Sequence, residues 1–326
     1  MSQVELSFAV GPYDRVMPLF DGSVTVPGVS LSPRFIGTPV ELFSRMLARA
    51  EFDIAEMSLT HCFALHDRPD FPFVCLPVFP SRMFRQGFIF VNRHAGIERP
   101  EQLAGRRIGV QGHQMTAAVW IRGLLREQHG VDLSGVTWYE GGVNQAGVVG
   151  GTVMQLRPAS DIVVRQIGQT QTLSGMLETG EIDALIGAFI PESFHTGRNV
   201  VRLFDDSIAA ERAYYRQTGI FPIMHALVVR RDVHDRLPGL GAALLGAARQ
   251  AQSIAYKRMR FSGALTVGLP WLLEHAAETD RFFGMDPWQH GLRENVTALE
   301  AFARMVQADG FSTEVLAPSS VFASGR

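Results

Sequence analysis

The alternation of strand and helix signals predicts an α/β protein built as two similar lobes. Three features carry this expectation. Residues Leu103 to Leu125 read as a short apolar strand, a Gly-bounded polar loop and a helix whose first turn holds Gln114, Met115 and Thr116. A module then occurs twice with one spacing, Met46-Leu47-x-x-x-Glu51-Phe52-Asp53 and Met176-Leu177-x-x-x-Glu181-Ile182-Asp183. Each copy ends an amphipathic helix and opens a short strand, and one copy falls in each expected lobe, whereas a solenoid would need more copies. Finally, Val4 to Val10 alternates as a strand and runs into Gly11-Pro12-Tyr13-Asp14-Arg15, a turn with polar side chains at its tip. Helix-to-strand units alternating with strand-to-helix units are the signature of layered α/β packing.

Taken in order, strands are expected near 4–10, 52–57, 73–79 and 86–92 with a helix near 39–50, all in the first lobe. Pro100 to Gly105 mark a crossing. The second lobe then holds a strand at 107–110, a helix at about 115–129, a strand at 136–139 and the second module at 172–187. Gly141 to Ser160 is Gly-rich with little periodicity, and a mobile lid is expected there. After the turn at Thr218 to Pro222, Ile223 to Arg230 is a strand returning to the first lobe, followed by helices near 238–259, 268–283 and 288–308. The expected division is therefore 1–99 with 222–326 for lobe 1, closed by C-terminal helices, and 100–221 for lobe 2. Two crossings make a hinge with a cleft beside it.

Composition narrows the class. The 326 residues are 46% hydrophobic and 19% charged, with a formal net charge of −2. That is an ordinary globular balance, which argues against a broad nucleic-acid footprint. No run approaches the roughly 18 apolar residues of a membrane span. With Met1 taken as the native start, no basic n-region or apolar h-region precedes the first strand, and the only cysteines are Cys62 and Cys75. A cytoplasmic location is expected from both facts. Lys257 is the single lysine among 30 basic residues and falls in the helical stretch Tyr256-Lys257-Arg258, where it reads as a solvated helix face. Arginine is thus the available carboxylate clamp.

Several site types are absent. There is no Walker loop, and Gly109-x-x-Gly112 lacks the third glycine of a dinucleotide fingerprint. No Cys-x-x-Cys or His-Glu-x-x-His occurs, and no Ser-His-Asp arrangement has nucleophile-elbow spacing. No cofactor is expected. A divalent ion held by Glu56, His61 and His225 is the one metal arrangement left open, because such ligands can be distant in sequence.

Gly11 to Arg15, Glu56-Met57-Ser58, Phe79-Pro80-Ser81-Arg82-x-Phe84-Arg85, Gln114-Met115-Thr116-Ala117, Trp120 to Gly123, Gly180 to Leu185 and Phe221-Pro222-Ile223-Met224-His225 resemble 4,5-dihydroxyphthalate decarboxylases over nearly the whole chain. The resemblance implies the type 2 periplasmic-binding-protein-like fold, with a ligand cleft between two α/β lobes and a cytoplasmic carboxy-lyase activity of phthalate degradation. The implied reaction is non-oxidative decarboxylation of a hydroxylated aromatic dicarboxylate, first among them 4,5-dihydroxyphthalate, giving protocatechuate and CO2. Many proteins of this fold are labelled transport binding proteins, so the alternative expectation is a non-catalytic binder of a small aromatic or other carboxylate. The partner is a small molecule in either case, neither nucleic acid nor membrane, and the apolar C-terminal helices offer a candidate homo-oligomer interface. Two positions depart from the family pattern: Gln86 stands where histidine is common, and His113 where tyrosine is common.

The chemistry asks for three tools. Loss of CO2 from an electron-rich arene is easiest when the ipso carbon is protonated while a para phenolate supplies electrons. This needs an acid, an acceptor for the phenol and a cationic clamp for the carboxylate that stays. For the clamp, Arg15, Arg82 and Arg85 sit beside strand ends or turns, and Arg82 with Arg85 is the favoured pair, beside Pro80, Phe79 and Phe84. For the acid, His225 on the apolar return strand comes first, although a lone histidine in such a run is more often a satisfied core residue. His61 and His113 compete with it. For the acceptor, Glu56 and Glu140 each follow a strand signal. Tyr13, Ser58, Gln114 and Thr116 complete the expected substrate contacts, with Gln114 and Thr116 helped by backbone donors of the second lobe.

Overall fold

The structure is a computed structural model that describes residues 4–147, 156, 158 and 162–323. Among these, eleven strands run in chain order as β1 (Val4–Ala9), β2 (Val29–Pro33), β3 (Ile54–Ser58), β4 (Phe73–Arg82), β5 (Ile89–Asn92), β6 (Arg107–Val110), β7 (Thr137–Glu140), β8 (Val163–Gln166), β9 (Ala184–Ile186), β10 (Val200–Arg202) and β11 (Ile223–Arg230). They form two sheets, ordered β2-β1-β3-β11-β4 and β10-β5-β9-β6-β7-β8. The return strand β11 lies antiparallel between β3 and β4 in the first sheet.

The repeated module does the same work in both sheets. After Met46 the helix Pro39–Arg49 ends on Ala50, held left-handed at φ 46°, and after Met176 the helix Leu173–Thr179 ends on Gly180 at φ 80°. Glycine suits this left-handed stop. Each module's aspartate then grips the parallel neighbour of the strand it precedes. Asp53 Oδ2 accepts from Ser7 N at 2.8 Å and Asp183 Oδ2 accepts from Arg107 N at 2.9 Å, next to the β1–β3 and β6–β9 pairings. The two lobes therefore share a construction that short spacing made visible.

Three boundaries differ from the sequence expectation. The strand expected at 86–92 in the first lobe is β5, and it pairs with β9 and β10 in the second sheet. The chain has therefore passed to the second sheet by Ile89, not near residue 100. The alternation of apolar residues identifies a strand but not its sheet, and this one is claimed by Leu185 and Val201 across the ladder. The helices expected near 268–283 and 288–308 also start later, at Leu272 and Val296. Gly268 and Pro270 delay the first, and Asp286, whose Oδ1 accepts from Trp288 N at 2.8 Å, builds a turn ahead of the second. The expected lid at 141–160 falls largely outside the described residues.

The helix Thr116–His129 is buried on two sides. Ala118, Ile121 and Leu125 pack with Ile108, Trp138 and Ile186 of the second sheet, while Ala117 and Trp120 join Phe63, Phe79 and Phe302 in the first-lobe core. Its Trp120 Nε1 donates to Ile223 O of β11 at 2.8 Å. Gly123 lets the helix Val296–Ala308 come close, since a Cβ there would sit 2.2 Å from Met305 Sδ. Arg122 and Asp309, both almost wholly buried, pair at 2.6 Å, and Asp309 also takes Arg126 at 2.6 Å. This helix, begun in one lobe, is thereby part of the core of the other.

Candidate active site

Glu56 lies in the middle of β3, beside β11, in a register that pairs His225 with Ser58 and Leu227 with Glu56. The carboxylate is fully buried and takes three donors. Oε1 accepts from Tyr13 OH at 2.8 Å and from His225 Nδ1 at 2.5 Å, and Oε2 accepts from Gly11 N at 2.9 Å. The turn makes this possible: Tyr13 N donates to Gly11 O at 2.7 Å, which folds the Tyr13 ring so closely over Gly11 that a Cβ would lie 2.5 Å from it. Burial pushes the Glu56 carboxyl upward, but attraction to the His225 ring and the three hydrogen bonds outweigh it, leaving the group below the usual carboxylate range. An ionised Glu56 requires His225 Nδ1 to be the donor, so Nε2 is the ring nitrogen left for a ligand. Phe43 holds the ring edge-on at 4.9 Å.

His225 faces a cavity of about 500 Å³, mouth included, between the two lobes. The first lobe contributes Val40, Phe43, Ser58, His61, Arg85 and Met224 to its wall, and the second contributes Gln114, Met115, Thr116, Ala117 and Ala188. Successive residues of a regular strand face opposite ways, yet Met224 and His225 both reach this wall. The β11–β4 ladder shifts register on either side of His225, and that irregularity allows it.

Arg85 supplies the cavity's cation. It is buried, and its Nε and Nη2 point at Met224 Sδ at 3.2 and 2.8 Å, while Nη1 meets no hydrogen-bond partner among the described residues. Burial pulls the guanidinium down to about 10, with Glu211 opposing the shift. A buried charge without a counter-ion is costly, and an anion in the cavity would relieve it. Opposite lies the start of the helix Thr116–His129, where Met115 provides no side-chain cap. Thr116 Oγ1 meets Ser58 Oγ at 2.9 Å, Thr60 N at 3.2 Å and Thr60 Oγ1 at 3.1 Å, binding the lobes together beside the cavity. Gln114 Oε1 accepts from Leu156 N.

Comparison with known proteins identifies the family. The chain is 36% identical over 324 residues to a 4,5-dihydroxyphthalate decarboxylase of Comamonas testosteroni, covering 99% of this chain and 97% of that one. It belongs to the 4,5-dihydroxyphthalate decarboxylase family. A Pseudomonas putida protein of the same name is 42% identical over 218 residues, 66% of this chain and 83% of its own. No family model matches. The fold is that of periplasmic binding proteins. A putative periplasmic sulfonate-binding protein from Methylobacillus flagellatus superposes with a TM-score of 0.56 at 10% identity, over 99% of this chain and 92% of its own. An alkanesulfonate-binding protein from Xanthomonas axonopodis, bound to MOPS, gives 0.53 at 11% identity, over 99% and 100%.

The structure of this decarboxylase-family chain divides the residues expected from sequence into three groups. His225, His61, Ser58, Arg85, Gln114 and Thr116 meet on the cavity wall. Glu56 and Tyr13 stand behind His225, so Tyr13 is a partner of Glu56 where a substrate contact was expected. Arg15, Arg82, His113 and Glu140 are absent from the wall. Arg15 Nε donates to Pro80 O at 2.6 Å, and its guanidinium lies between the rings of Tyr13 and Trp288, at 4.4 and 3.9 Å. Arg82 donates to Phe221 O at 3.1 Å, Gln289 O at 2.7 Å and Asn295 Oδ1, fastening β4 to the C-terminal region. The expected Arg82–Arg85 clamp is therefore Arg85 alone.

His113 is turned into the core, edge-on to Trp138 at 5.2 Å, and burial together with Arg122 and Arg126 pushes its ring down to about 2. The backbone N–H of His113 donates to Glu140 Oε2 at 2.7 Å, and Glu140 Oε1 takes Gln166 Nε2 at 3.1 Å, so this carboxylate braces the loop. Gln86, the other departure from the family pattern, is buried, with Oε1 accepting from Arg85 N at 3.2 Å. Among the described residues no cluster of three or more His, Cys, Asp or Glu side chains could hold a metal ion. In the Glu56, His61 and His225 set, Glu56 is already surrounded by protein donors.

Val40, Phe43, Met115, Ala117, Ala188 and Met224 also line the wall and were not expected there. Met224 stood inside the quoted Phe221 to His225 motif, but strand alternation argued against its sharing a face with His225.

Proposed function

We propose that this chain decarboxylates 4,5-dihydroxyphthalate, or a closely similar hydroxylated aromatic dicarboxylate, by protonating the ring carbon that bears the departing carboxylate. Family membership makes it a carboxy-lyase. The observation that carries the mechanism is that a histidine backed by a buried carboxylate and an arginine with no ion-pair partner among the described residues face one largely apolar cavity. A protein that only bound its ligand would have no use for the first of these.

In this reading Arg85 Nη1 holds the carboxylate that stays, and the open N–H groups at the start of the helix Thr116–His129 face the carboxylate that leaves. Imidazolium His225 gives its Nε2 proton to the ipso carbon. The phenol para to that carbon releases its proton to an acceptor on the wall, and its electrons flow into the ring. Glu56 and Glu140 were the expected acceptors. Neither lies on the cavity wall, whereas His61 does, so His61 takes this role. The C–C bond then breaks, its electron pair restores the aromatic ring and the para oxyanion, CO2 leaves, and His61 returns its proton to that oxygen. One proton from solvent restores His225, so each turnover converts a dicarboxylate and a proton into a monocarboxylate and CO2. Glu56 touches no substrate; it is a positioning residue that fixes the His225 tautomer and stabilises its charged form.

Turnover of a panel of mono- and dihydroxylated phthalates, followed as CO2 release with and without a chelator, tests this. Release from 4,5-dihydroxyphthalate is expected. Tight binding of a panel member with no CO2 from any of them would replace the enzyme by a binding protein.

A further inference from the structure

We propose that Met224 is a positioning residue that determines anion specificity: its thioether fixes the Arg85 guanidinium in the cavity wall without neutralising it, reserving the charge for a ligand carboxylate. The inference rests on the reading of Arg85 as the carboxylate clamp. A long arginine side chain loses much rotamer freedom when held still, and the usual means of holding it is a carboxylate. A carboxylate would also quench it. The thioether sulfur is a weak, uncharged acceptor. Here one sulfur faces both Nε and Nη2, which sets the plane of the guanidinium and leaves Nη1 as the open corner. The ring of Phe88 supports the group, 5.0 Å from Cζ. Glu211, the acidic side chain that acts on Arg85 through space, accepts from Gly87 N at 3.2 Å and forms no ion pair with Arg85. The irregular ladder that brings Met224 to the wall beside His225 puts the pin and the acid on adjacent residues of one strand.

Packing and pinning predict opposite orders of substitution. If Met224 only fills space, Met224→Leu should be the mild change and Met224→Gln the damaging one. If its sulfur pins Arg85, Gln, which retains a neutral acceptor, should be mild and Leu damaging. The probe is phthalate, which has both carboxylates and no hydroxyl, titrated calorimetrically into the full chain. Met224→Gln is expected to bind it within about threefold of wild type and Met224→Leu about tenfold more weakly, the worth of one charge-assisted hydrogen bond. Met224→Glu, which brings its own carboxylate to Arg85, should weaken phthalate by about a hundredfold or more. Leu binding as tightly as wild type, Gln binding more weakly than Leu, or Glu having no effect would each overturn the pinning role. Arg85→Ala separates the two claims, since phthalate binding unaffected by that change defeats the clamp itself, whereas loss of binding there with an unaffected Met224→Leu defeats only the part assigned to Met224.

Discussion

The Nδ1 atom of His225 lies 2.5 Å from Oε1 of Glu56, joining residues 169 positions apart in the chain. The contact exists because β11 comes back antiparallel beside β3, and it orients the ring of a half-buried strand histidine. His225→Ala should lower kcat by about 10²–10⁴-fold, the usual worth of a general acid, while weakening phthalate binding far less. Arg85→Ala should do the reverse, raising KM much more than it lowers kcat. Steady-state kinetics beside binding titrations check the division, and equal effects on both constants in either variant would refute it.

Glu56 makes a pH prediction of its own. Its carboxyl is held below the ordinary 4.5 in the folded chain despite burial, so its contribution to stability is complete above the unfolded value and is lost as pH falls through the folded one. Glu56→Gln should remove that acid-side loss and lower kcat, because a neutral amide cannot stabilise the imidazolium. Denaturant titrations between pH 3 and 7 (about the range in which carboxyl groups titrate) read the first effect, and turnover reads the second.

His113 acts on stability in a different window. Its ring is pushed down to about 2 from 6.5, so the unfolded chain binds a proton that the folded chain refuses, and stability drains away as pH falls below 6.5. His290 behaves alike, pushed down to about 3 by burial and by the nearby Arg82, Arg15 and Arg249 charges, and its Nδ1 accepts from Phe79 N at 3.0 Å. Replacing His113 by Phe should remove one proton's share of the slope, about 1.4 kcal/mol per pH unit, between pH 6 and 4 (roughly the middle of the histidine window). An unchanged slope would mean that the ring is charged in the fold.

The buried Arg122–Asp309 pair yields a stability prediction. Asp309→Ala leaves Arg122 charged in the core, which should cost about 3–5 kcal/mol in chemical denaturation. Replacing both residues with apolar ones should cost less than removing the aspartate alone.

Much of the fold was legible because it is written in local pattern. The strand at 107–110, the return strand at 223–230 and the helices after Thr38 and Gly239 follow from periodicity, caps and breakers acting within a few residues. Sheet membership was not local, and β5 was assigned to the wrong lobe for that reason. The site split the same way. His225 and Arg85 could be named from their strand and turn, but Arg82 and Arg85, three residues apart, have separate fates. Carbonyls of Phe221 and Gln289 claim Arg82, and no spacing within the Phe79 to Arg85 motif could announce them. His113 likewise looked like a loop ligand until Trp138 and Phe311 enclosed it.

The helix Thr116–His129 sets this chain apart from a molecular trap that swings shut on its cargo. Rotating one lobe away from the other would pull Trp120 out of the first-lobe core, part Thr116 from Ser58 and Thr60, and strand the Arg122 charge. Such an opening would cost as much as partial unfolding. Loading and release are then expected to be local events at the mouth of the cavity. Solution scattering should give the same radius of gyration with and without saturating phthalate, and the burial of Glu56 behind His225 is expected to persist between turnovers instead of being rebuilt in each one.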